Sequence, residues 1–159
     1  MKPERFIRGC WMVLAACCLA LLSADAHGQQ ADDKAKLQAA FQKGQELSKA
    51  GNHNEAIKQF QIVVDLAPAV YGADSTNMAA YLGWLAGAYK DAGQYAKAEP
   101  LYQRSLQIFE AKLGKEHPSV AQILNNLGAV YSRMGQYAKA EPLYLRAYAS
   151  QPAQFFAGG

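Results

Sequence analysis

Gly93-Gln94-Tyr95-Ala96-Lys97-Ala98-Glu99-Pro100-Leu101-Tyr102 returns unchanged as Gly135-Gln136-Tyr137-Ala138-Lys139-Ala140-Glu141-Pro142-Leu143-Tyr144, 42 residues further on. The same step back from Gly93 lands on Gly51, followed by Asn52, His53 and Glu55-Ala56-Ile57. Ala56, Ala98 and Ala140 stay in register, and so do Phe60, Tyr102 and Tyr144. The residues ahead of each glycine repeat as well: Leu85 and Tyr89 match Leu127 and Tyr131, and Asp74-Ser75-Thr76 falls opposite Glu116-His117-Pro118. A fixed period of about 20–50 residues marks stacked supersecondary units. Three units, 33–74, 75–116 and 117–158, cover nearly all of the chain after its first 32 residues.

Each unit carries two helical patterns. In the third, Val120, Leu124, Leu127, Val130 and Tyr131 recur at spacings of three and four, one face of a helix. Gly135 is expected to end it, because glycine takes the left-handed C-terminal conformation without strain. Tyr137, Ala140, Leu143, Tyr144 and Ala147 form the second helix, with Pro142 expected in its first turn, where a missing amide loses no partner. Pro100 holds the same place one unit earlier. Gly128 and Ala140 let the paired helices approach. The tyrosines at 89, 95, 102, 131, 137 and 144 are expected to fill the space between helices, and the Lys-Ala-Glu segments 97–99 and 139–141 to be solvated.

These positions resemble the small and large sites of tetratricopeptide repeats. Leu124, Leu127, Gly128, Tyr131, Ala140, Tyr144, Ala147 and Pro152 match in the third unit, and Leu82, Leu85, Ala86, Tyr89, Ala98 and Tyr102 in the second. The first matches with Gly44, Leu47, Ala56, Phe60 and Pro68, but Lys43 stands where a core leucine belongs. The 42-residue period, the junction Leu113-Gly114-Lys115-Glu116-His117-Pro118-Ser119-Val120-Ala121 and the following Leu124-Asn125-Asn126-Leu127 resemble the kinesin light chain type. The resemblance implies an all-α fold, a right-handed α-α superhelix of three helix-turn-helix repeats, with the first helix of each pair lining a concave side. It also implies a protein or peptide partner on that side. The contact residues would then be Gln122, Asn125, Asn126, Ser132 and Arg133 in the third unit, Trp84 and Lys90 in the second, and Phe41 and Gln45 in the first. Asn and Gln offer donors and acceptors together, which suits an extended peptide backbone. Gly83 and Gly87, one turn apart, would leave a notch beside Trp84 for an apolar anchor. Each assignment competes with a plainer one: Asn125 and Asn126 as inter-helix ties, Trp84 as packing, the two glycines as close-approach positions. Family members that clamp chaperone C-termini use lysine, asparagine and arginine at positions occupied here by Phe41, Gln45, Trp84, Gln122 and Asn126, so the likeness does not extend to that role.

Composition narrows the function. Sixteen basic against 13 acidic side chains leave a net charge of +3, too little for a nucleic-acid platform. No Gly-x-x-x-x-Gly-Lys-Ser/Thr loop, His-Glu-x-x-His helix or Gly-x-Ser-x-Gly elbow occurs. His27, His53 and His117 are not spaced to share a metal. The expectation is therefore a non-catalytic protein without cofactor or metal.

The ends of the chain differ from the repeats. Lys2, Arg5 and Arg8 precede an apolar run from Cys10 to Leu22 and then Ala24-Asp25-Ala26, the pattern of a secretory signal cleaved after Ala26. Residues 27–32 then form a short linker, and the protein is expected in the periplasm or outside the cell. Retention as an anchor, and lipidation of Cys17 in Leu14-Ala15-Ala16-Cys17, stay open as alternatives. All three cysteines, Cys10, Cys17 and Cys18, fall in this leader, so the repeats carry no thiol chemistry. Asp32, Asp33, Lys34 and Lys36 are expected to open the first helix as a polar cap. No such cap follows the third unit. Its apolar edge is expected to be covered by Phe155 and Phe156, by a second copy or by a partner, which makes self-association through these phenylalanines a second functional reading. A third is an accessory subunit of an envelope enzyme complex.

Overall fold

Helices follow one another because each unit supplies two apolar stripes separated by a glycine turn. The computed structural model describes residues 28–150. Six helices run through them: α1 (28–49), α2 (His53–Tyr71), α3 (Thr76–Asp91), α4 (Tyr95–Leu113), α5 (Pro118–Arg133) and α6 (Tyr137–Ala149). The leader with Cys17, the proposed cleavage site at Ala26, and Pro152, Phe155 and Phe156 lie outside the described residues.

Within each pair the turn is built identically. Gly51, Gly93 and Gly135 take φ of 77°, 74° and 73°. That conformation lets the next amide reach back to a carbonyl one and a half turns earlier: Asn52 to Leu47 at 2.9 Å, Gln94 to Tyr89 and Gln136 to Tyr131 at 2.8 Å. Between pairs the chain enters α3 and α5 through side-chain caps. Ser75 Oγ accepts from the Met78 amide at 3.1 Å, and His117 Nδ1 accepts from the Ser119 amide at 3.1 Å.

Each helix packs on the next in sequence, and α3 also touches α5, giving the right-handed superhelix. Packing rests on a small residue facing a ring. A methyl added at Gly44 would lie 2.7 Å from the Phe60 ring, and one at Gly128 2.9 Å from the Tyr144 ring. The next repeat then closes over the ring. Leu85 of α3 packs with Ala56 and Phe60 of α2, and Val120, Leu124 and Leu127 of α5 join Tyr102 and Phe109 of α4. Burying such a ring stabilises the fold by about 1.5–3 kcal/mol. Ser105 is fully buried as well, and its hydroxyl donates to the Ala79 carbonyl at 2.7 Å.

Four expectations change. Residues 28–32, read as linker, are helical and continue into α1, so Asp32 and Asp33 sit inside that helix. Pro100 and Pro142 are the sixth residues of α4 and α6, beyond the first turn, because those helices start directly after the glycine turn. The carbonyls of Ala96 and Ala138 lose their helical donors there, on exposed residues open to water. Tyr137 is not core: it is 70% exposed, since the third unit has no described successor to cover it. Finally, the Lys-Ala-Glu segments are solvated only in part: Lys97, Lys139 and Glu141 are exposed, but three of the charged groups also reach neighbouring tyrosines. Glu99 accepts the Tyr131 hydroxyl at 2.8 Å across to the next repeat, while Lys97 and Lys139 lie 5.5 and 5.2 Å from the ring centres of Tyr89 and Tyr131.

The same register predicts unequal costs for one substitution. Gly44→Ala presses on Phe60, which is enclosed and cannot turn away, and should cost about 1–3 kcal/mol. Gly128→Ala presses on Tyr144, whose ring has room to swing outward, and should cost less than half as much. Urea unfolding of the two variants measures the difference; equal costs would show that Tyr144 is as tightly held as Phe60.

Candidate functional site

The first helices α1, α3 and α5 stand side by side, and their shared face forms a groove. The groove opens because α3 is lined with small side chains there. Ala80, Gly83 and Gly87 succeed one another at helical spacing, and Tyr102 and Phe109 of α4 show beneath them. Gln122, Ile123 and Asn126 of α5 form one wall, and Ser48 of α1 reaches the other side. The hollow encloses about 370 Å³.

Trp84 stands over this hollow. Its ring leans on Phe41 and Phe60, with centres 5.6 and 5.9 Å away, and Phe41 in turn meets Tyr81 at 5.3 Å. Packing on one side leaves the other open, and Trp84 remains 45% exposed. The packing expected of this residue is thus present on one edge, and the other edge is open to solvent. Aromatic burial keeps nearby hydroxyls neutral. Tyr81 is pushed up to about 12 by burial, reinforced by the neighbouring Tyr71 hydroxyl. Burial chiefly, and then the Asp91 charge, raise the Tyr102 hydroxyl still further.

A second hollow of about 500 Å³ continues from the first at the glycine-turn end. It is bounded by His53, Lys90, Asp91, Tyr95, Ala129 and Arg133, and it shares Lys90 and Asp91 with the groove. Lys90 and Asp91 approach to 3.5 Å, so the aspartate offsets the lysine and Arg133 supplies the excess positive charge. His53 Nδ1 is buried there with no hydrogen-bond partner among the described residues. Among those residues no three His, Cys, Asp or Glu side chains come together as metal ligands.

Of the residues singled out in sequence, Trp84, Lys90, Gln122 and Asn126 line the groove, and Arg133 lines the adjoining hollow. Asn125, Ser132 and Gln45 are half-buried and line neither, and Phe41 backs Trp84 from within the aromatic cluster. His53 and Tyr95 are not among the contact residues that the sequence suggests. They begin α2 and α4 at equivalent steps of the 42-residue register, but the adjacency to Arg133 depends on how far successive repeats rotate, which no motif encodes.

Gly83 and Gly87 serve the groove more than the fold. A methyl at Gly87 would meet only the Tyr102 hydroxyl, at 3.5 Å, an ordinary contact. One at Gly83 would lie 3.1 Å from the terminal methyl of Ile123, a flexible tip. Alanine is favoured over glycine in a helix interior by about 0.5–1 kcal/mol. Gly87→Ala should therefore raise stability by roughly that amount, measured as a higher urea midpoint. A loss of stability would mean that the close approach of α3 to α4 needs the glycine.

Comparison with known proteins agrees with this architecture. Two family models described as tetratricopeptide repeat match residues 41–112 and 77–153. Among solved structures, the TPR domain of Arabidopsis FLU superposes with a TM-score of 0.66 at 18% identity, over 74% of this chain and 95% of that one. Kinesin light chain-type TPR-like repeats of Podosopora anserina give 0.63 at 25% identity, over 72% and 55%. BtubC (BKLC) from P. vanneervenii gives 0.52 at 18%, over 72% and 62%. The chain therefore spans little more than half the length of the second of these and under two thirds of the third. No curated protein matches the sequence.

Proposed function

The chain belongs to the tetratricopeptide repeat family, a protein-interaction scaffold, and from that premise we propose that it is an exported, non-catalytic module that holds an extended segment of a partner protein in the groove of α1, α3 and α5. The observation that carries this reading is Trp84. A large aromatic residue 45% open to solvent, beside two glycines where an added methyl would meet only side-chain atoms, is poorly explained by stability alone. Trp84 and the small residues of α3 accept an apolar side chain, and Gln122 and Asn126 meet the backbone beside it. Tryptophan in a concave, half-desolvated setting is a typical binding anchor. At the turn end, Arg133, whose charge is left in excess by the Lys90–Asp91 pair, favours an acidic group on the same segment.

Export rests on the leader pattern of residues 1–26. No described helix is long and apolar enough to cross a membrane.

Two measurements test the reading. A photo-crosslinking side chain placed at Ala80, in the native compartment, should capture one partner. Gly83→Ala combined with Gly87→Ala should reduce that capture at least tenfold while the helical circular dichroism and urea midpoint hold or rise. Undiminished capture with the groove filled would rule out binding there. For export, the intact mass of the purified protein should correspond to a chain beginning at His27; a mass retaining residues 1–26, or one with lipid on Cys17, would overturn cleavage after Ala26.

A further inference from the structure

A second surface stands apart from the groove. The 42-residue register makes the outward face of each second helix comparable. Phe60 of α2 and Tyr102 of α4 are each only 1% exposed, because α3 and α5 close over them; Tyr144, their counterpart on α6, is 37% exposed. Val64 and Leu106 are half-buried in the core seam, and Tyr148 in the same register is 70% exposed. Gln103 donates to the Tyr131 hydroxyl of the next repeat at 3.1 Å; Leu145 takes its place on α6 and is 64% exposed. Together with Tyr137, these residues form an apolar face on the last described helix.

We propose that this face pairs with the same face of a second copy, forming a two-fold dimer through α6. Three observations favour that occupant. The opposite end of the array carries charge that the α6 face lacks: its hollow of Ala39, Ala40, Ile62 and Leu66 is rimmed by Lys36, Lys43 and Asp65. Lys36, Lys43 and Gln59 stand there where later repeats carry Met78 or Val120, Leu85 or Leu127, and Leu101 or Leu143. Head-to-tail stacking would press those lysines onto the tyrosines, whereas α6 against α6 buries apolar on apolar, the self-complementary arrangement of a two-fold contact. The area suffices. The exposed parts of Tyr137, Tyr144, Leu145 and Tyr148 amount to roughly 500 Å² per copy, hence about 1,000 Å² for the pair, where specific interfaces begin. Hydrogen bonding can be matched as well. Glu99 accepts a tyrosine hydroxyl from the following repeat, and Glu141, its exposed counterpart on α6, would be open to one from the facing copy.

Sedimentation equilibrium of the full chain over roughly 1–100 µM tests the pairing. The mass should rise from one copy to two and stop there. Leu145→Glu and Tyr148→Glu should hold it at one copy with unchanged helical circular dichroism, and Lys43→Glu should behave as the unsubstituted chain. A single copy at every concentration overturns the proposal, as does growth beyond two copies, or pairing that survives both α6 variants. If only a chain ending at Ser150 pairs, residues 151–159 with Phe155 and Phe156 occupy the face instead, and the two-fold dimer is equally excluded.

Discussion

The contact on which the molecule depends is a ring set against a small residue across each helix pair. Gly44 faces Phe60, Ala86 stands in the same register as Gly44 and is matched by Tyr102, and Gly128 faces Tyr144. The small residue brings the two helix axes close, and the ring then protrudes on the far side, where the first helix of the next unit seats against it. A single pair cannot bury both sides of its ring. Stacking is what removes the ring from water, so the repeats stabilise one another and the array behaves as a one-dimensional solid. The glycine turns at 51, 93 and 135 matter because they take the same backbone conformation at the same step of the register, so that each second helix starts alike and every ring arrives at an equivalent place.

The groove follows from the same geometry. Because the second helices supply the rings, the first helices are left to face one another with their remaining sides. On α3 that side consists of Ala80, Gly83 and Gly87, which contribute almost no bulk. The core is thus satisfied without them, and the space they leave is available to a partner. Trp84 sits at the boundary between the two regimes, anchored on Phe41 and Phe60 and open toward the hollow. Electrostatics adds direction: the apolar stretch gives way at the turn end to Lys90, Asp91 and Arg133.

The two faces that end the described array are handled differently. The first unit replaces the stacking positions with Lys36 and Lys43, which stay hydrated, and with the half-buried Gln59. The third repeats the stacking chemistry on α6, with tyrosines and a leucine in place of charges. This polarity distinguishes pairing between like faces from growth into a filament, since only the former avoids burying lysine side chains.

Periodicity was fully legible in the amino-acid order. The 42-residue repeat, the glycine stops, the helix pairs and the small-against-large pattern are local or periodic properties, and each is written in residue type and spacing. Other features were not. Pro100 and Pro142 lie deeper in their helices than turn preference suggests, because the tight glycine turn fixes where the helix begins. Glu99 and Tyr131 are 32 residues apart and meet only because successive units stack at a set rotation. The same rotation brings His53 and Tyr95 beside Arg133, and decides that Gln122 and Asn126 line the groove while Asn125 and Ser132 do not. Residue type and spacing along one helix determine which side is apolar; which neighbours complete a hollow is set by the angle between units, and that angle is the sum of many packing contacts rather than the property of any one stretch of chain.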